Sequence, residues 1–131
     1  MEIVREIKEK VNLSNPKNVL KYLEEFRNQD REYFIVIGLD SKNQALYREI
    51  NTIGTLNQSL IHPREVFKKA IMMNCSSIIV AHNHPSGDSE PSYEDKKVTD
   101  ILRKAGELVG IKVLDHLILG EKTNYSFSEH W

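Results

Sequence analysis

The sequence contains one cysteine, Cys75, so no disulfide can form within the chain. A reducing cytoplasm is the expected setting. Long apolar runs are missing as well. The longest, Tyr33 to Leu39, reaches seven residues even when Gly38 is counted. A membrane-crossing helix needs roughly 20, so no membrane partner is expected. The opening MEIVREIKEK lacks the apolar segment of a secretory leader. Neither sign of charge dominates, because 18 basic and 19 acidic residues leave a net charge of −1. That balance does not draw the chain as a whole to nucleic-acid phosphates or to an anionic membrane surface. A single Trp adds little support for a duplex-binding face. Internal repeats and low-complexity segments are absent.

The composition that remains is globular, with 40% hydrophobic and 28% charged residues. A length of 131 residues suits one domain with its own core. Residues 1–13 are charged with a weak helical period and read as a linker or docking segment, which leaves 14–131 as the domain. Asn15-Pro16 forms a helix start, with Asn15 as N-cap, and Val19, Leu20, Leu23 and Phe26 follow at helical spacing. Tyr33 to Leu39 reads as a buried strand, and residues 45–56 as its hairpin partner with Gly54 as a bulge. His62-Pro63 opens a helix whose apolar face is Val66, Phe67, Ala70 and Ile71. Ser77 to Ala81 is a short apolar strand. Ser92 is the natural N-cap of a long helix bearing Val98, Ile101, Leu102, Ala105, Leu108 and Val109, with Gly110 as its stop. Ile111 to Leu119 is a further strand. Helices and strands alternate, so the expected fold is α/β, a sheet with helices packed on it.

The chemistry concentrates in residues 82–95, HNHPSGDSEPSYED. His82 and His84 stand two apart at a strand end, and a period of two places both imidazoles on one side. The Pro85-Ser86-Gly87-Asp88 turn then leads to Asp95 in the first turn of the next helix. Two imidazoles and a carboxylate make three ligands. Zinc prefers four, and an open fourth place is the pattern of a catalytic site. Ser92-x-x-Asp95 is also a capping box, and the two roles of Asp95 are compatible because a carboxylate has two oxygens.

His82-x-His84-Pro85, six residues, Ser92, two residues and Asp95 resembles the motif of the JAB/MPN+ (JAMM) metalloproteases. The string HNHPSGD followed by PSxxD resembles the RadC branch of that superfamily. Glu32 before an apolar strand, Gly54-Thr55-Leu56, Pro63-Arg64-Glu65 and Leu114-Asp115-His116 match it in order. The resemblance covers residues 14–131. It implies a single α/β (α+β) domain, an αβα arrangement around a mixed, mostly antiparallel sheet, with an architecture like that of cytidine deaminases. Longer RadC proteins carry an N-terminal helix-hairpin-helix module that is not read in these 131 residues, so a fragment or a short member of the family is expected.

The resemblance also implies roles. His82, His84 and Asp95 match zinc ligands for one ion per chain, Ser92 the oxyanion-stabilising serine, and Glu32 the general acid/base. Read on its own residues, Glu32 is more simply a solvated acid at a strand edge, and the rival base Glu65 reads first as an acid suited to the dipole in a first helical turn. Asp115-His116 is either a pair behind a metal ligand or a packed strand histidine. The implied activity is hydrolysis of a peptide or isopeptide bond. A non-catalytic or DNA-associated module is the alternative, since the family is named for DNA repair, and a metal-dependent nuclease would use the same ligands. A zinc deaminase is disfavoured, because its paired-cysteine signature needs more than one cysteine.

Overall fold

The computed structural model describes residues 3–131. Its six strands are β1 (Val4–Glu6), β2 (Tyr33–Leu39), β3 (Ala45–Ile53), β4 (Ser77–Asn83), β5 (Lys112–Leu119) and β6 (Asn124–Ser126). They form one sheet in the order β1-β3-β2-β4-β5-β6. Every neighbouring pair is antiparallel except β4 and β5. Three α-helices are interleaved: α1 (Pro16–Leu23), α2 (Pro63–Met72) and α3 (Tyr93–Val109). A parallel pair needs a crossover, and α3 supplies the one between β4 and β5.

The alternation of the central strands sorts side chains into two cores. Phe34, Val36, Ile78 and Val80 pack with Val66, Phe67 and Ala70 of α2 and with Val98 and Leu102 of α3. Ile35, Ile37, Ile79 and Ala81 face the other way, onto Val19 and Leu23 of α1. The result is three layers, helix–sheet–helix. The central strands are apolar on both faces, as a doubly covered sheet requires. His82 follows Ile78 and Val80 on the α3 face, which is where α3 begins.

A single irregularity decides the placement of another histidine. Ile78 pairs with Val113 but Ile79 pairs with Asp115, so Leu114 is an extra residue in β5. Val113 belongs to the α2/α3 core, while Leu117 and Leu119 belong to the α1 core. The bulge therefore moves the even-numbered residues of β5 onto the α3 face. Without it, His116 would point to the opposite side of the sheet.

The helix signals act as their chemistry dictates. Asn15 accepts the Lys17 N–H, Ser92 accepts the Asp95 N–H, and Gly110 ends α3 in the left-handed conformation. Three local expectations are corrected. The weak helical pattern of residues 1–13 is not a helix, because Val4–Glu6 pairs with β3 and Leu13 is buried in the α1 core; Met1 and Glu2 lie outside the described residues. β3 ends at Ile53, and Gly54 turns the chain at φ +137° beyond it rather than bulging within it. Ile71, Leu108 and Val109 are exposed; the covered side of α3 runs through Asp95, Val98, Thr99, Leu102 and Gly106, and Leu108 lies well off that side.

Candidate metal centre

His82 and His84 leave the end of β4 on the same side, as their spacing requires, and their Nε2 atoms face each other at 3.0 Å. Asp95 comes from the first turn of α3. Its Oδ1 lies 3.2 Å from His82 Nε2, and its Oδ2 lies 3.0 Å from His84 Nε2. His82 and Asp95 are buried, and His84 is partly open. The Asp95 carboxylate also completes the capping box, because Oδ2 accepts the Ser92 N–H at 2.8 Å. The capping role read from the sequence is thus met through Oδ2, with Oδ1 left free of the cap.

Glu32 stands at the entry of β2. Its Oε2 accepts the Leu56 N–H at 2.9 Å, and its backbone carbonyl accepts the Gly54 N–H. A carboxylate oxygen of Glu32 and one ring nitrogen each of His82 and His84 lie within 4.8 Å of one another, a group able to hold a metal ion. Glu32, His84, Ser92 and Asp95 line one open cavity of about 1140 Å³, which residues 53–59 also line. Glu65 lies elsewhere, in the first turn of α2, and lines a different cavity.

The outward nitrogens of the two imidazoles are fixed by the shell around them. His84 Nδ1 donates to the carbonyl of Asp88 at 2.7 Å. The loop can fold back this way because Gly87 takes φ +89° and bonds its N–H to the His84 carbonyl. A neutral His84 thus has its lone pair on Nε2, toward His82 and Asp95. On the other ring, His82 Nδ1 meets His116 Nε2 at 2.7 Å. His116 Nδ1 meets Thr99 Oγ1 at 2.6 Å, and Thr99 Oγ1 donates to the Asp95 backbone carbonyl at 2.8 Å. His116 and Thr99 are buried.

Asp115 does not join this set. Its carboxylate accepts the His116 N–H, the Ser126 hydroxyl and the Ser128 N–H, which ties down the C-terminal segment. His116 is both of the things the sequence left open, a packed strand histidine and the partner behind His82. Thr99 and the Asp88 carbonyl escaped the sequence reading. A backbone carbonyl leaves no side-chain signal, and Thr99 reads as an ordinary residue of α3.

The electrostatics concentrate on the same atoms. Burial disfavours the charged form of Asp95, but hydrogen bonds from His82 and His84 outweigh it and hold the carboxyl well below the usual carboxylate range. Burial pulls His84 down, but its hydrogen bonds with the Asp95 carboxylate and with the Asp88 carbonyl more than offset this and raise it. Burial, aided by the neighbouring His82, drives His116 well below an ordinary histidine, so it stays neutral.

The donor set fits a small divalent cation. Zinc binds His at roughly 2.0–2.1 Å and carboxylate at roughly 2.0–2.2 Å, which sets tetrahedral ligand atoms about 3.3 Å apart. The separations of 3.0 and 3.2 Å are close to that. A proton on one Nε2 would bridge this group as a hydrogen bond, whereas a cation at its centre would draw on the lone pairs of both nitrogens.

A family model described as RadC-like JAB domain matches residues 13–131. Among curated proteins, a UPF0758 protein of Chlorobaculum tepidum is 50% identical over 115 residues, covering 87% of this chain and 52% of that protein. One from Methanosarcina mazei is 50% identical over 119 residues, covering 90% and 51%. One from Bacillus cereus is 45% identical over 125 residues, covering 95% and 56%. The chain spans about half the length of these relatives. It belongs to the RadC-like JAB domain family.

Proposed function

We propose that this RadC-like JAB domain is a zinc-dependent amide hydrolase, with one ion per chain and a peptide or isopeptide bond as its target. The observation that carries the reading is the pair of Nε2 atoms 3.0 Å apart beside the Asp95 carboxylate, opening onto a cavity shared with Glu32 and Ser92. His82, His84 and Asp95 would hold the ion. A set of two His and one Asp accepts several divalent metals, and zinc is the one this chemistry favours. Bound there, zinc supplies Lewis acidity toward a carbonyl and brings the pKa of a coordinated water to about 7.

The remaining steps fall to the chain's own side chains. The Glu32 carboxylate, steadied by the Leu56 N–H, takes the proton of the attacking water and returns it to the leaving amine. The Ser92 oxygen accepts the Asp95 N–H, so its O–H proton is the part left to donate to the developing oxyanion. The wide cavity leaves room for an extended chain across the ligand group. Among the described residues, no helix is long and apolar enough to cross a membrane.

The test is an assay of zinc-loaded protein on peptide and lysine-isopeptide substrates beside single- and double-stranded DNA. Amide cleavage that a chelator removes supports the proposal. Cleavage of DNA alone would replace it with a nuclease, and inactivity on both classes with zinc bound would favour a binding module.

A further inference from the structure

We propose that Thr99 and His116 are positioning residues for the cation site, holding His82 in the tautomer that offers its Nε2 lone pair. The inference rests on the proposed zinc site and adds the device that prepares it.

The contacts form a closed path. Asp95 supplies its carboxylate beside His82 Nε2 at one end and its backbone carbonyl to Thr99 at the other, with His116 between Thr99 and His82. His116 stacks on Phe127, with ring centroids 4.8 Å apart and planes 18° apart, and meets Phe34 edge-on. These rings resist a flip of the imidazole, so each nitrogen keeps its partner.

Hydrogen placement on such a path has two self-consistent directions. In the first, Thr99 donates to the Asp95 carbonyl, His116 Nδ1–H donates to the Thr99 oxygen, and His82 Nδ1–H donates to His116 Nε2. His82 Nε2 then carries a lone pair. In the second, the hydroxyl donates to His116 Nδ1, His116 Nε2–H donates to His82 Nδ1, and His82 Nε2–H donates to Asp95. That direction puts a proton where a metal would bind. His84 has no such choice, because a carbonyl oxygen only accepts. The Thr99 hydroxyl is the hinge of the path, since it can accept from His116 only when it donates to Asp95.

A Thr99→Val protein keeps the shape and loses the acceptor. His116 then favours the Nε2–H form, which drives His82 to carry its own proton on Nε2. Zinc affinity, measured by competition with a chromophoric chelator, is expected to fall tenfold to a hundredfold, the usual range for a partner behind a ligand. Thr99→Ser restores the acceptor and should return affinity to within about threefold of wild type. Nitrogen-15 NMR of the zinc-loaded wild-type protein is expected to place the His116 proton on Nδ1. This last reading holds the proposal to account even where the valine variant fails to fold.

If wild-type protein takes up zinc but the folded valine variant binds it equally well, the relay is overturned alone. A His116 proton on Nε2 in the zinc-loaded protein overturns it likewise. If wild-type protein takes up no zinc, the proposed hydrolase fails and the relay with it.

Discussion

Ser92 and Asp95 cap each other: the Ser92 N–H reaches Asp95 Oδ2 at 2.8 Å, and the Asp95 N–H reaches Ser92 Oγ at 3.0 Å. This reciprocal pair starts α3 and at the same time points a carboxylate at two imidazoles. The helix cap is therefore also the fixture of the candidate centre. An acid at a helix N-terminus is favoured by the helix dipole, so the Asp95 carboxylate stands where its charge is readily held.

This double use lets stability and chemistry be separated at Ser92. Ser92→Ala should lose about 1 kcal/mol of stability, whereas Ser92→Gly should lose only a few tenths. Both remove the hydroxyl donor, and both should lower amide hydrolysis by about 10²–10³-fold. Thermal melts beside turnover rates check this. Full activity in Ser92→Gly would remove the oxyanion role.

Glu32→Gln retains an oxygen for the Leu56 N–H and loses the base. Zinc content should stay unchanged while hydrolysis falls by about 10²-fold or more. Loss of zinc in this variant would make Glu32 a ligand, the reading its place in the group with His82 and His84 also permits.

Cys75 offers a test of the core away from the centre. Burial, with the Asp40 charge adding to it, pushes its thiol up to about 11 from 9.0. The unfolded chain gives up this proton first as pH rises, so the thiol's share of stability is present below pH 9.0 and lost by about pH 11. At about 1.4 kcal/mol per pH unit the loss approaches 3 kcal/mol. Denaturant melts between these pH values should show that fall in wild type and a smaller one in Cys75→Ala. Native Cys75 should likewise resist alkylation at pH 8. Fast modification under native conditions would contradict its burial.

Much of this was readable in the sequence, because the signals were local. Asn15-Pro16, Ser92 and Gly110 mark helix ends through their own backbone chemistry, and the apolar run of Tyr33 to Leu39 marks a strand covered on both faces. His82 and His84 share a side because a strand has a period of two. What stayed hidden depends on pairing between distant segments. The extra residue Leu114 breaks the alternation of β5 and brings His116 behind His82, a shift visible only in register with β4. Val4–Glu6 is too short and too charged to show as a strand until it lies along β3. Leu108 and Val109 look like part of the apolar face of α3 yet are exposed, because the covered face is centred on residues that include the polar Asp95 and Thr99 and the side-chain-less Gly106, which apolar spacing does not reveal.

The central claim is that His82, His84 and Asp95 hold a divalent ion, and metal content tests it most directly. Purified protein should be dialysed mildly and analysed for elements beside the His82→Ala/His84→Ala double variant. The account predicts about one zinc per wild-type chain and none in the variant. No metal in wild type, and no uptake when zinc is added, would contradict it.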